Sequence, residues 1–254
     1  MSADRPDDRQ QAASPSALPE GFRVYAIGDI HGCFDLVHPL ADAIAEDLRK
    51  SPPARAIEVF LGDYVDRGPQ SREVIDWLIA GTPPTDERIC LMGNHEEMLL
   101  DVLRTPDGMA GWRMNGADST LSSYGIAAPR TAGAAAHAEL RRRFLAALPA
   151  SHRAFLEALP RIFTLGGYVF VHAGLRPGRQ LQDQDPQDLV WIREPFLSSD
   201  ADFGRIVVHG HTPTEWPEIR PNRINIDTGA VFTGRLTCLV LEGASRRFLQ
   251  TSPG

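Results

Sequence analysis

The sequence predicts an α/β fold: two packed sheets forming a β-sandwich, flanked by helices, with a helical insertion in mid-chain. Three observations predict it. Five short strand-like runs each end in a Gly, Asp, Asn or His motif, helix-like segments separate the first three runs, and short loops join the strand-like runs of the second half.

Residues 22–27 form a strand-like run that ends in Gly28-Asp29-Ile30-His31-Gly32, and residues 57–61 form one that ends in Gly62-Asp63-Tyr64-Val65-Asp66-Arg67-Gly68. Residues 89–92 lead into Gly93-Asn94-His95-Glu96, residues 168–171 into His172-Ala173-Gly174, and residues 206–208 into His209-Gly210-His211-Thr212-Pro213. Helical periodicity over 35–49 and 71–79 makes the first half β-α-β-α-β, hence a parallel sheet with right-handed crossovers. A third helix follows over 95–103. Residues 136–148 and 152–159 are helix-like, so about 105–160 is expected to be an insertion that caps the site, with Trp112, Met114 and Tyr124 closing a small core or, as the alternative, lining a substrate groove. Further strands are expected at 162–165, 224–226 and 236–241, within a second, mixed or antiparallel sheet. Residues 1–20 are rich in Asp, Pro and Ser and read as a flexible tail, leaving 21–254 as one domain.

Composition narrows the function. A chain of 254 residues, 43% hydrophobic and 23% charged, is not collagen, coiled coil or wholly disordered. A net charge of −7 disfavours nucleic acid or an anionic membrane as partner, since both are bound through clustered Lys and Arg. Lys50 is the only lysine and lies in a bland Arg-Lys-Ser-Pro-Pro segment, against a Walker A or Schiff-base role. Cys33, Cys90 and Cys238 form no CxxC, and no stretch approaches the ~18 apolar residues of a membrane span. A reducing, cytoplasmic setting is therefore expected.

Asp29, His31, Asp63, Asn94, His172 and His211 offer carboxylate, amide and imidazole groups without sulfur. That set suits two divalent ions, manganese first, with iron, zinc, cobalt or nickel as alternatives. Two ions bridged by one carboxylate and one hydroxide polarise a phosphoryl oxygen and supply the nucleophile. Asp63 is the natural bridge. Arg67 brings a fork matched to phosphate oxygens, and Arg193 is a second candidate. His95, held by Asp66, can protonate a departing alkoxide. His209 is expected to pack rather than ligate, Cys33 to be a buried hydrophobe, and Arg141-Arg142-Arg143 to be a solvated face. His38, His137 and His152 suggest no role.

These motifs resemble the phosphoprotein phosphatases within the calcineurin-like metallophosphoesterases. The family signature GDxHG, GDxVDRG, GNHE, HAG and a final GH appears in order across residues 28–213. The resemblance implies one ion on Asp29, His31 and Asp63, a second on Asp63, Asn94, His172 and His211, phosphate held by Arg67 and Arg193, and Asp66–His95 as the acid pair. Asp66, Glu96 and Thr212-Pro213 resemble the bacterial serine/threonine protein phosphatases more than the symmetrical diadenosine tetraphosphate hydrolases, whose motifs read GDLVARG, GNHD and GHW. Asp227-Thr228-Gly229-Ala230 resembles both branches. The expected substrate is a phosphoprotein or phosphopeptide, with a dinucleoside polyphosphate as the alternative and a non-catalytic phosphoprotein-binding module as a third reading.

Overall fold

The computed structural model describes residues 17–129 and 133–251. Strands β1 (Phe22–Ile27), β2 (Arg55–Phe60) and β3 (Glu87–Cys90) run parallel, joined by helices α1 (Phe34–Lys50) and α2 (Ser71–Ala80). Helix α3 (Asn94–Arg104) follows, then α4 (Met109–Met114), α5 (Ala117–Ser123), α6 (Ala134–Ala147) and α7 (Ala150–Ala158). The second half contains β4 (Ile162–Leu165), β5 (Tyr168–Val171), α8 (Pro186–Trp191), β6 (Ile206–His209), β7 (Glu218–Ile219), β8 (Arg223–Asn225), α9 (Ala230–Thr233), β9 (Thr237–Glu242) and β10 (Ser245–Gln250). One sheet has the order β10-β9-β1-β2-β3 and the other β4-β5-β6-β8-β7.

Both faces of the central strands are covered, so they read as continuous apolar runs, and the period of two survives in where the side chains point. Val24, Ala26, Ile57, Val59, Leu239 and Leu241 meet Tyr168, Phe170, Val208 and Ile224 of the second sheet in a shared middle layer. Tyr25, Ile27, Phe60 and Val240 point the other way, toward the helices. The second sheet's outer face is covered by Leu189, Ile192 and Phe196. The helix–sheet–sheet–helix layering agrees with the fold expected from sequence.

Three differences concern the strands and the tail. The strand expected at 236–241 as part of the second sheet is β9, which pairs antiparallel with β1 in the first. An apolar run does not name its sheet, and the chain crosses between sheets through α9. Its hairpin partner β10 was not anticipated, because Arg246, Arg247 and Gln250 break the apolar pattern at this edge. The tail expected over 1–20 lies outside the described residues up to 16, whereas 17–20 belong to the fold. Leu18 is buried in the middle layer and donates its N–H to the Gly243 carbonyl.

In the insertion, Phe144 packs against the rings of Trp112 and Tyr124. Met114, expected in the same core, is 84% exposed. Arg141 is not on a solvated face. It reaches α3 and donates to the carbonyls of Val102, Leu103 and Arg104, where a helix end leaves acceptors unpaired. His152 accepts from the Tyr124 hydroxyl and donates to Asp76. All three cysteines are free and buried, and no helix among the described residues is long and apolar enough to cross a membrane.

Glu58 and Arg88 form an ion pair at 2.9 Å beneath α2, both buried, with the guanidinium 4.1 Å from the centre of the Trp77 ring. Burial raises the Glu58 carboxyl and Arg88 opposes that shift. Arg88→Met removes one partner and strands the other, so it is expected to cost about 3–5 kcal/mol of stability in urea unfolding. A loss under about 1 kcal/mol, the worth of an exposed pair, would contradict this reading.

Candidate active site

Parallel strands deliver ligands to their carboxyl ends, and the two sheets do so at one rim. Asp29 and His31 follow β1, Asp63 follows β2, Asn94 opens α3 after β3, His172 follows β5 and His211 follows β6. All six are buried. The non-glycine residues with left-handed φ among those described are His31, Asp63, Asp66, Arg67 and His211, from 46° to 71°, all on these turns. Such backbone is uncommon and persists where surroundings over-determine it. Gly93 allows two of the turns to meet: a Cβ there would lie 2.3 Å from Asp63 Oδ1.

Asp63 lies at the centre. Its Oδ2 is 3.4 Å from His31 Nε2 and its Oδ1 is 3.4 Å from His172 Nε2. Two groups of side chains close enough together to hold an ion, His31–Asp63–His95 and Asp63–His172–His211, share this carboxylate. Asn94 Oδ1 is 2.9 Å from His172 Nε2 and 2.8 Å from His211 Nδ1. Asp29 accepts the His211 backbone N–H at 3.1 Å. Burial lowers the His31 imidazole to about 3 and also lowers those of His172 and His211, so all three are neutral and ready to ligate. Burial, Asp227 and Asp63 raise the Asp29 carboxyl. Burial works the same way on Asp63, yet that carboxyl is held well below the usual range by the surrounding imidazoles, of which His95 is the one whose charged form the site favours.

The donor set fits divalent cations. His31 Nδ1 donates to the Val65 carbonyl and His172 Nδ1 to the Leu61 carbonyl, which leaves each Nε2 lone pair facing the site. At His172 that lone pair meets the Asn94 oxygen, a second acceptor, and His211 Nε2 is buried without any hydrogen-bond partner. Lone pairs converging on one another are stabilised by a cation between them.

His95 Nδ1 lies 2.7 Å from Asp66 Oδ2. Burial disfavours the imidazolium, yet Asp63 and Asp66 outweigh it and raise His95 above the ordinary imidazole value. Arg67 is exposed; it donates from Nη1 to His31 Nε2 at 2.7 Å, and its Nη2 lies 3.1 Å from His95 Nε2. Arg193, also exposed, donates to the His211 carbonyl at 3.4 Å. His209 points away from the ligands. It packs edge-on against Phe196 and faces Arg223 at 3.4 Å.

Three features escape a sequence reading. Asp227 is buried beside Asp29, and burial raises its carboxyl to about 6. Its signal is a further strand end, since Ile226-Asp227 follows β8. Glu96 accepts the N–H groups of Asp63, Tyr64, Val65 and Gly93, tying the β2 and β3 turns together, while burial and Asp63 push its carboxyl up to about 8. Trp112 and Thr120 reach Asp66 from the insertion, at 2.7 and 2.6 Å.

Residues 22–234 match the calcineurin-like phosphoesterase family. The asymmetrical bis(5'-nucleosyl)-tetraphosphatase PrpE of Anoxybacillus flavithermus is 29% identical over 238 residues, covering 84% of this chain and 88% of the relative. Serine/threonine-protein phosphatase 1 of Salmonella typhimurium is 33% identical over 227 residues, covering 84% and 89%. The crystal structure of a candidate diadenosine tetraphosphatase shares the fold, with a TM-score of 0.62 at 22% identity over 94% of this chain and 98% of that one. With the family match spanning most of its length and a 33% identical relative covering 84% of it, the chain belongs to the calcineurin-like phosphoesterases, hydrolases that use divalent metal ions.

Proposed function

We propose that the protein is a serine/threonine phosphatase that hydrolyses phosphoserine and phosphothreonine monoesters of proteins. The observation that carries this reading is the buried His95–Asp66 pair. A serine oxygen leaving as an alkoxide is a poor leaving group, and a proton delivered as the P–O bond breaks removes that obstacle. His95 delivers it from Nε2 while Asp66 holds Nδ1. In a dinucleoside polyphosphate the departing oxygen belongs to a phosphate, which leaves readily without an acid.

Asp29, His31 and Asp63 would hold one ion and Asp63, Asn94, His172 and His211 a second, with manganese placed first. Bound there, the ions would polarise the phosphoryl group and supply an activated water. Arg67 and Arg193 bind the remaining phosphate oxygens, the former by swinging off His31 and His95. Arg67→Ala is expected to raise the inhibition constant of inorganic phosphate about 10-fold or more, the worth of charge-assisted hydrogen bonds. An unchanged constant would place Arg67 outside the phosphate site. The insertion over about 105–160 shapes access.

A second reading is favoured by the relatives named for asymmetrical dinucleoside tetraphosphate cleavage. Symmetrical cleavage is the dinucleotide alternative expected from sequence, and the names of these relatives add the asymmetrical one. The test is kcat/KM, measured side by side on manganese-reconstituted protein, for a phosphoserine peptide, a phosphotyrosine peptide and diadenosine tetraphosphate. The proposal expects the phosphoserine peptide to lead. A dinucleotide ahead by orders of magnitude would overturn it.

A further inference from the structure

The insertion does more than pack. Helix α4 sends the fully buried Trp112 to Asp66, where its indole N–H donates to Oδ2 at 2.7 Å, the same oxygen that faces His95 Nδ1 at 2.7 Å. Helix α5 sends the fully buried Thr120, whose hydroxyl donates to Oδ1 at 2.6 Å and accepts the Asp66 backbone N–H at 2.8 Å. Ser71 on α2 completes the cradle, its Oγ 3.1 Å from both that N–H and Thr120 Oγ1. The adjoining residue is held as well. The Gly116 carbonyl accepts the Arg67 N–H at 3.2 Å, and Ser119 donates to the Arg67 carbonyl at 2.9 Å. These contacts fix a stretch whose backbone is strained, with φ of 71° at Asp66 and 69° at Arg67.

An indole N–H can only donate, and the Thr120 hydrogen is already committed to Asp66. Both therefore favour the carboxylate form of Asp66 and fix the direction of its lone pairs. A carboxylate so held keeps the proton of His95 on Nδ1 and leaves Nε2 for the reacting groups.

We propose that Trp112 and Thr120 are positioning residues for proton delivery, acting through Asp66 to orient His95, so that the insertion is part of the catalytic apparatus. The inference rests on the reading of His95 as the acid. A positioning role and a packing role differ in one measurable respect. Loss of packing lowers the rate on every substrate alike, whereas a misaligned acid penalises only leaving groups that need a proton.

The test compares Trp112→Phe, Thr120→Val, Thr120→Ser and His95→Asn with wild type, each manganese-reconstituted, on a phosphoserine peptide and on p-nitrophenyl phosphate. Trp112→Phe keeps a ring against Phe144 but removes the donor, Thr120→Val keeps the shape but removes the hydroxyl, and Thr120→Ser restores it. The inference expects kcat on the phosphoserine peptide to fall about 10–100-fold for Trp112→Phe and Thr120→Val, the usual effect of losing an orienting hydrogen bond, and on the aryl phosphate less than about 3-fold. Thr120→Ser should recover most of the loss. If Trp112→Phe fails to fold, the Thr120 pair decides. Equal losses on both substrates, or no loss, while His95→Asn still discriminates between them, would overturn the positioning role alone. Equal losses for His95→Asn itself would overturn the acid reading and this inference with it.

Discussion

His95→Asn is expected to lower kcat on a phosphoserine peptide by on the order of 100- to 10,000-fold while costing an activated aryl phosphate less than about 10-fold. His95 lies on the first turn of α3, so its backbone N–H to Asp63 Oδ1 at 3.1 Å survives the substitution. Asp66 keeps Trp112 and Thr120 as donors, so the pocket is not left with an unanswered carboxylate. What is lost is the imidazole and its transferable proton, and only a leaving group that needs that proton registers the loss. Steady-state kinetics on the two substrates check the prediction, and matching losses would remove His95 from the role of acid.

Asp63→Asn should abolish metal retention and activity together, with affinity for manganese falling by more than about 100-fold, beyond the effect of losing an outer-shell partner. Asp63 is the member common to both groups of side chains, and each of its oxygens faces a different imidazole at 3.4 Å. The amide has nearly the same shape, so the turn and its left-handed backbone are preserved while the charge shared by two cations disappears. Titration calorimetry with manganese and elemental analysis after dialysis read the metal directly, apart from catalysis. Undiminished metal content with normal turnover would exclude a bridging role.

The site was legible in the sequence to the extent that it is written at strand ends. Glycine followed by Asp, Asn or His after an apolar run is a local pattern, and it marks the six candidate ligand positions that the fold brings to one rim. Non-local pairing was less legible. β9 joins β1 across more than 200 residues, and nothing in its apolar run distinguishes the first sheet from the second. Direction was also hidden: Trp112 is an aromatic residue that packs, as expected, but composition does not say where its N–H points.

The residues used to separate the family's branches are instructive in the same way. Glu96 ties two turns through backbone N–H groups, and Thr212 takes part in the fold through its own backbone, accepting from Asn225 and donating to Gly210. Of these, only Asp66 meets the side chain of the proposed acid. Relatives named for dinucleotide cleavage and for protein dephosphorylation match equal shares of the chain, 84% in each case.

The most direct measurement is a crystal structure of the wild-type protein with manganese and vanadate. The account predicts two ions ~3.5–4 Å apart with Asp63 bridging them, Arg67 turned from His31 to the anion, and His95 Nε2 facing a vanadate oxygen. A single ion, or two ions with Arg67 still lying across His31 and His95, would contradict it.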